Sequence, residues 1–384
     1  MTIQHMLLSL GGVVEEYTEG PIIIPALTPG PSLSWGNNSL GQLGTGNVIT
    51  RTSPVTVVGG FTDWIYIQAG FQHSLAVRDN GTAWAWGSNG NGRLGDNTTI
   101  ARSSPVSIVG GYTDWTQVSA GFSHGLGLRS NGTAWSWGLN ANGQLGDNTA
   151  VTRSSPVSVV GGFTDWSQVD AGSTHNIGLR SNGTAWAWGC NLSGRLGNNS
   201  TIQRSSPVLV AGGFTDWTQV SAGSRSSGGV RSNGTAWAWG DGGYGNLGNN
   251  LPGSVSSPVP VVGGFTDWVQ VSVGDRHMLG VRSNGTAWAW GFGANGRLGD
   301  NATVARSSPV SVVGGFTDWI RVSCSSNHSS AVRLDGTAWT WGVNSSGQLG
   351  DNTGVDKSSP VSVVGGYTDW TQVSAGGYHS LGVR

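Results

Sequence analysis

The sequence predicts an all-β protein: a seven-bladed β-propeller of four-stranded blades. Three observations predict it. Seven Trp-Gly pairs, from Trp35 to Trp341, recur at a constant interval of 51 residues, and self-similarity at that period marks a solenoid or a propeller. Each unit carries four short strand signals parted by turn residues, with no helical periodicity. Finally, the chain stops in mid-repeat at Arg384, while residues 31–36 are a lone copy of the segment that would come next. Residues 28–384 number 357, seven times 51, so one blade is expected to take two strands from each end. Closing the ring in this way removes the open sheet edge of a linear array.

The elements of one unit follow in order. Residues 113–119 (TDWTQVS) alternate as a half-buried strand does. Residues 124–129 form a second strand, and Ser130-Asn131-Gly132 is a tight turn, since Asn-Gly readily takes positive φ. Residues 133–137 are a third strand with Trp135 and Trp137 on one face. A loop covers residues 138–149. Residues 156–160 are a fourth strand, with Pro156 at its start, where no ladder donor is lost. Gly161-Gly162 turns the chain into the next unit.

Residues 1–27 have no counterpart in the repeat and read as a separate N-terminal arm, leaving the propeller at 28–384. The arm holds two apolar stretches, Met6-Leu7-Leu8 and Ile22-Ile23-Ile24, and is expected to be a docking element for a partner. Its apolar patch is too short to span a membrane and follows no basic region, so neither a signal peptide nor membrane insertion is expected. The net charge is -1, Lys357 is the single lysine, and the arm contains Glu15, Glu16 and Glu19 but no Lys or Arg. Nucleic-acid binding needs several phosphate contacts from cations, so no such partner is expected.

Residues that recur in every blade are explained first by the fold. His73, His124, His175, His277, His328 and His379 share one position, with Ser226 in the seventh. They are expected to satisfy nearby backbone carbonyls. The Asp-Trp pairs, Asp63-Trp64 through Asp369-Trp370, are expected to place the carboxylate on backbone hydrogens and the indole between blades. Asp96, Asp147, Asp300 and Asp351 each supply one carboxylate to a loop, too few for a hard cation that takes six or more oxygens. No metal site is predicted. Cys190 and Cys324 lie at different repeat positions and are not expected to pair. No oriented nucleophile–base set or phosphate loop stands out, so the sequence predicts no catalytic residue and no cofactor.

Function is therefore sought where the repeats differ. Two loop positions vary strongly: the pair after each inner Ala-Gly, and the residues after each Trp-Gly. Large side chains stand there where sister repeats often carry small ones, namely Phe71, Phe122, Arg225, Tyr244, Arg276, Phe292 and Tyr378. Aromatic and Arg residues at loop tips are typical partner anchors, and these seven are the predicted partner-binding residues. The competing account is neutral drift in exposed loops.

The order of motifs resembles the regulator of chromosome condensation repeat family. It runs Val-Ser-Ala-Gly-x-x-His, then Asn-Gly-Thr-Ala-Trp-Ala-Trp-Gly, then Asn-x-x-Gly-Gln-Leu-Gly, and covers residues 28–384. The resemblance implies a seven-bladed propeller but covers several functions, and the variable loops are what point to a non-enzymatic recognition or structural role, with a protein or glycan surface bound through them. It is also similar to accessory proteins of phage particles, which implies an arm docked to a virion shell or tail protein. The alternative it implies is an enzyme regulator: a propeller-type enzyme inhibitor or, less favoured by the sequence, an exchange factor for a small GTPase. Exchange factors of the family carry a wedge hairpin and a basic tail. Here the constant 51-residue unit leaves no room for a wedge.

Overall fold

The computed structural model describes residues 26–384. The arm expected at 1–27 thus lies outside the described residues except for Ala26 and Leu27. The described chain forms seven four-stranded antiparallel sheets arranged as a propeller. In the second blade the strands run outward from the axis as Trp115–Ala120, His124–Arg129, Ala134–Gly138 and Arg153–Ser158. The first three agree with the sequence reading to within a residue or two. The fourth does not: it begins at Arg153, so Pro156 sits inside it, next to a register shift between Arg153 and Val157. The outermost strand tolerates this because its far edge faces solvent and the irregular pairing asks no amide of the proline.

Closure is as expected. One sheet runs Arg51–Thr56, Ser32–Gly36, His379–Val383, Gln372–Ala375, two strands from each end of the chain. Ser32 lies opposite Val383, and Gly36 opposite His379.

The core is a set of inter-blade seams. The third-strand tryptophans, Trp35 through Trp341, are fully buried. Each indole N–H donates to a backbone carbonyl of the preceding blade's loop, as Trp188 does to Gln144 at 3.1 Å and Trp35 to Gln348 at 2.9 Å. The Leu-Gly that ends this loop is glycine for a reason. Gly146 has φ of +64°, and a Cβ there would stand 2.8 Å from the Trp188 ring.

The Asp of each Asp-Trp pair behaves differently from expectation. The Asp63 carboxylate takes two hydrogen bonds from Arg78, at 2.8 and 3.0 Å, rather than backbone hydrogens. The Arg that closes each second strand supplies a stronger, charge-assisted donor, bidentate at Arg78, Arg231 and Arg333 and through Nε alone at Arg129, Arg180 and Arg282, and the Arg78 guanidinium also lies 4.1 Å from the Phe61 ring. The Trp does pack across the blade boundary, with Trp64 and Leu381 in one buried cluster.

Candidate functional site

Strand direction sorts the loops. Inner strands run toward one face, second strands away from it, and third strands toward it again. Both variable loop classes therefore emerge on the same face, and the Asn-Gly turns and Gly-Gly links occupy the other. All seven predicted partner residues fall on the variable-loop face. The structure divides them into two groups on opposite sides of the axial channel.

The first group belongs to three consecutive blades. Phe71 stacks on Phe122 with centroids 4.1 Å apart, and Tyr378 meets Phe71 edge-on at 5.4 Å. Phe122 and Tyr378 are 41% and 37% exposed. Two local features set this geometry. Gly377 clears the space, since a Cβ there would lie 2.6 Å from the Phe71 ring. The buried Arg93 reaches over from the preceding blade and donates to the Phe122 carbonyl at 3.1 Å.

The second group is charged and aromatic. Tyr244 and Phe292 lie 5.0 Å apart, and the Arg276 guanidinium sits 4.9 Å from the Tyr244 ring and 5.7 Å from that of Phe292. Arg225 is not a free anchor. It lies 3.7 Å from both Asp241 and Asp275, and Asp275 also lies 3.4 Å from Arg276. At this exposure such pairs contribute about 1 kcal/mol or less each, so they orient the side chains more than they stabilise the fold. Three members were not among the predicted residues: Asp241, Asp275 and Arg297, the last placed 4.9 Å from the Phe292 ring. The two acids stand in the variable loops and were legible there. Arg297 occupies a repeated motif position, which hid it.

Between the groups the channel mouth is lined by small residues, among them Gly172, Gly223 and Ser173. Below it the inner strands build two rings. In the upper ring, serine hydroxyls accept an amide of the next blade, as Ser119 does from Ala171 at 2.9 Å. Asp170 takes this position in the third blade. It accepts from the Ala222 amide and Ser119, both at 2.8 Å, and from Ser221 at 3.2 Å. Burial still pushes its carboxyl above the ordinary range. In the lower ring, five glutamines use both ends of the amide. Gln219, for example, donates to the Val271 carbonyl and accepts from the Val271 amide, each at 3.0 Å. Tyr66 and Arg321 take the two remaining positions. Burial raises Tyr66 to about 12.

Five of the six histidines, all but His73, bond a side chain of the next blade rather than the backbone carbonyl expected. His124 Nε2 bonds the Asn176 side chain of the next blade at 2.7 Å, and His328 bonds Ser380 at 2.7 Å, neither reaching a backbone carbonyl. The ring atoms project across the seam, where the neighbouring second strand presents side chains. Burial lowers His124 to about 4 and His328 and His379 to about 3, so these rings stay neutral. The loop acids are also occupied locally: Asp96 accepts from Asn89 and Thr98 and pairs with Arg102. Among the described residues, no three His, Cys, Asp or Glu gather as a metal site. Cys190 and Cys324 are buried and unpaired with each other.

Fold and face together define a seven-bladed propeller with one invariant scaffold and one diversified loop face. Residues 32–382 match the model of the RCC1-like domain, and the chain belongs to that family. It is 29% identical to the ultraviolet-B receptor UVR8 of Arabidopsis thaliana, over 85% of this chain and 76% of the relative. It is 27% identical to human regulator of chromosome condensation, over 92% of this chain and 90% of the relative. Among solved structures, yeast RCC1 (Prp20) in complex with Kap60 superposes with a TM-score of 0.83 at 19% identity, covering 100% of this chain and 97% of the other. Human WBSCR16 gives 0.82 at 20% identity, covering 92% and 98%. At these identities the superpositions speak for the fold alone.

Proposed function

We propose that this propeller is a non-enzymatic recognition module that binds a protein surface through its variable-loop face. One observation carries the reading. Seven side chains picked for departing from the repeat, spread from Phe71 to Tyr378, gather on one face into an aromatic cluster and an Arg-aromatic cluster. The ring sets equivalent loop positions of neighbouring blades side by side, and here they carry aromatic and Arg side chains that pack into contiguous, partly exposed patches. Aromatic and Arg clusters with partly exposed rings are the usual anchors of protein interfaces. The relatives' names support a binding role: one solved structure concerns the binding of yeast Prp20p to Gsp1p and histones. The chain enters the ring at the opposite mouth of the channel, where Leu27 is among the residues that line the lower cavity. Attachment through that end, to a virion shell or tail protein, leaves the loop face outward.

Affinity capture from the native source tests the reading, with the full chain and with Phe71→Ala/Phe122→Ala/Tyr378→Ala as baits. Loss of two or more interface anchors weakens binding at least tenfold, since each costs about 2 kcal/mol. Undiminished capture by the triple variant overturns it.

A further inference from the structure

We propose that the protein surface bound by the aromatic cluster of the variable-loop face presents an Asp or Glu beside an apolar side chain, the apolar group resting on Phe122 and Tyr378 and the carboxylate on the Arg93 guanidinium. The inference rests on the recognition reading of this face and names the chemistry of its partner.

Charge is divided unevenly between the two faces. Among the described residues, and apart from Asp170 and Arg321 in the channel, the variable-loop face holds eleven Arg or Lys and seven Asp, a net of +4. The opposite face holds seven Arg and nine Asp, a net of -2. A positive face draws in an acidic partner and disfavours a basic one. Much of the loop-face charge is already paired. Arg102 lies against Asp96 and Arg306 against Asp300, while Arg225 and Arg276 lie against Asp241 and Asp275.

Arg93 has no such counter-charge. Its carbonyl takes the Trp137 indole N–H at 2.9 Å, which fixes its backbone. Its side chain is recessed, with Nη1 donating to the neutral Phe122 carbonyl at 3.1 Å and Nε buried without a partner. A guanidinium has five N–H donors, so most of them are unspent. Arg195 and Arg297 hold the same repeat position and make the same bond to the next blade, to the Ser224 carbonyl at 2.9 Å and the Ser326 carbonyl at 2.8 Å. There, acids offset part of the burial that lowers the guanidinium: Asp241 and Asp275 at Arg195, Asp275 and Asp356 at Arg297. At Arg93 burial acts alone. A desolvated guanidinium with unspent donors gains most from a carboxylate. Phe122, whose carbonyl Arg93 holds, also supplies an exposed ring, so the charge and the aromatic surface belong to one site. A nucleic-acid backbone calls for several accessible cations, whereas Arg93 is recessed and Arg225 and Arg276 are paired. The geometry therefore favours a protein carboxylate.

Isothermal titration of the full chain at low salt tests the proposal with two matched probes, acetyl-Phe-Glu-Phe-amide and acetyl-Phe-Gln-Phe-amide, and with a short oligothymidylate. The Glu peptide is expected to bind about tenfold tighter than the Gln peptide. Arg93→Gln introduces the residue that stands at Gln42, Gln144 and Gln348. It is expected to melt as wild type does and to abolish the difference between the peptides. If Arg93→Gln loses stability, the peptide pair on the wild-type chain still decides. Equal binding of the two peptides, lost in Phe71→Ala/Phe122→Ala/Tyr378→Ala, overturns the carboxylate seat and leaves the recognition reading standing. Failure of both peptides to bind at about 1 mM, or tighter binding of the oligothymidylate, overturns it as well.

Discussion

Replacing Trp188 by alanine tests the seam model most directly. Trp188 is wholly buried, donates to the Gln144 carbonyl of the preceding blade, and packs 5.8 Å from Trp166. Removing roughly 200 Å² of buried indole surface forfeits a gross ~5 kcal/mol at about 25 cal/mol per Å². Stranding the Gln144 carbonyl costs about 1 kcal/mol or more, and partial collapse of the seam gives some of this back. The net expectation is about 3–5 kcal/mol, the usual range for truncating a core aromatic. Trp186 provides the internal control. It stands two residues away on the same strand, is only partly buried, and bonds Thr184 Oγ1 within its own blade. Its truncation is expected to cost about 1–2 kcal/mol. Urea titrations of both variants, with unchanged denaturant slope, give the comparison. A loss below about 1 kcal/mol for Trp188→Ala, or a larger loss for Trp186→Ala, refutes seam packing as the main source of stability.

The remaining predictions concern charge and closure. The histidines are held neutral with pKa values below the ordinary 6.5, so the unfolded chain takes up protons first, and stability present above pH 6.5 falls away as pH drops toward 4 and 3. His124 alone contributes about 2 kcal/mol to the difference between pH 7 and pH 5; equal urea midpoints at the two values refute this. Asp170 has its folded pKa raised by burial, which favours the fold at low pH and opposes it as pH rises. Asp170→Asn is therefore expected to melt higher than wild type at pH 8, and a lower melting temperature contradicts the assignment. Deleting residues 28–36 removes the strand between Arg51–Thr56 and His379–Val383 and should lower the melting temperature steeply or cause aggregation, read by calorimetry and light scattering. An unchanged transition is incompatible with two-ended closure.

The sequence alone determined the architecture. A strict period, strand alternation and turn residues are local signals, and the integer count of repeats closes the ring without reference to any contact. The loop positions of Phe71, Phe122 and Tyr378 were likewise legible as departures from a constant background. Which of these side chains meet was not. Phe71 touches Tyr378 only because the ring closes, and Arg225 is held by Asp241 and Asp275 from two different loops. The same holds for the seams: the Trp188 acceptor lies 44 residues back, and the His124 partner 52 residues ahead. Pro156 was misplaced because the reading took proline as a strand boundary, whereas an outer strand open to solvent accommodates it internally. Tyr66, Asp170 and Arg321 looked like ordinary variation along an inner strand. Only the assembled ring places them on one channel wall, because burial and electrostatic environment depend on neighbours that the chain brings together from distant repeats.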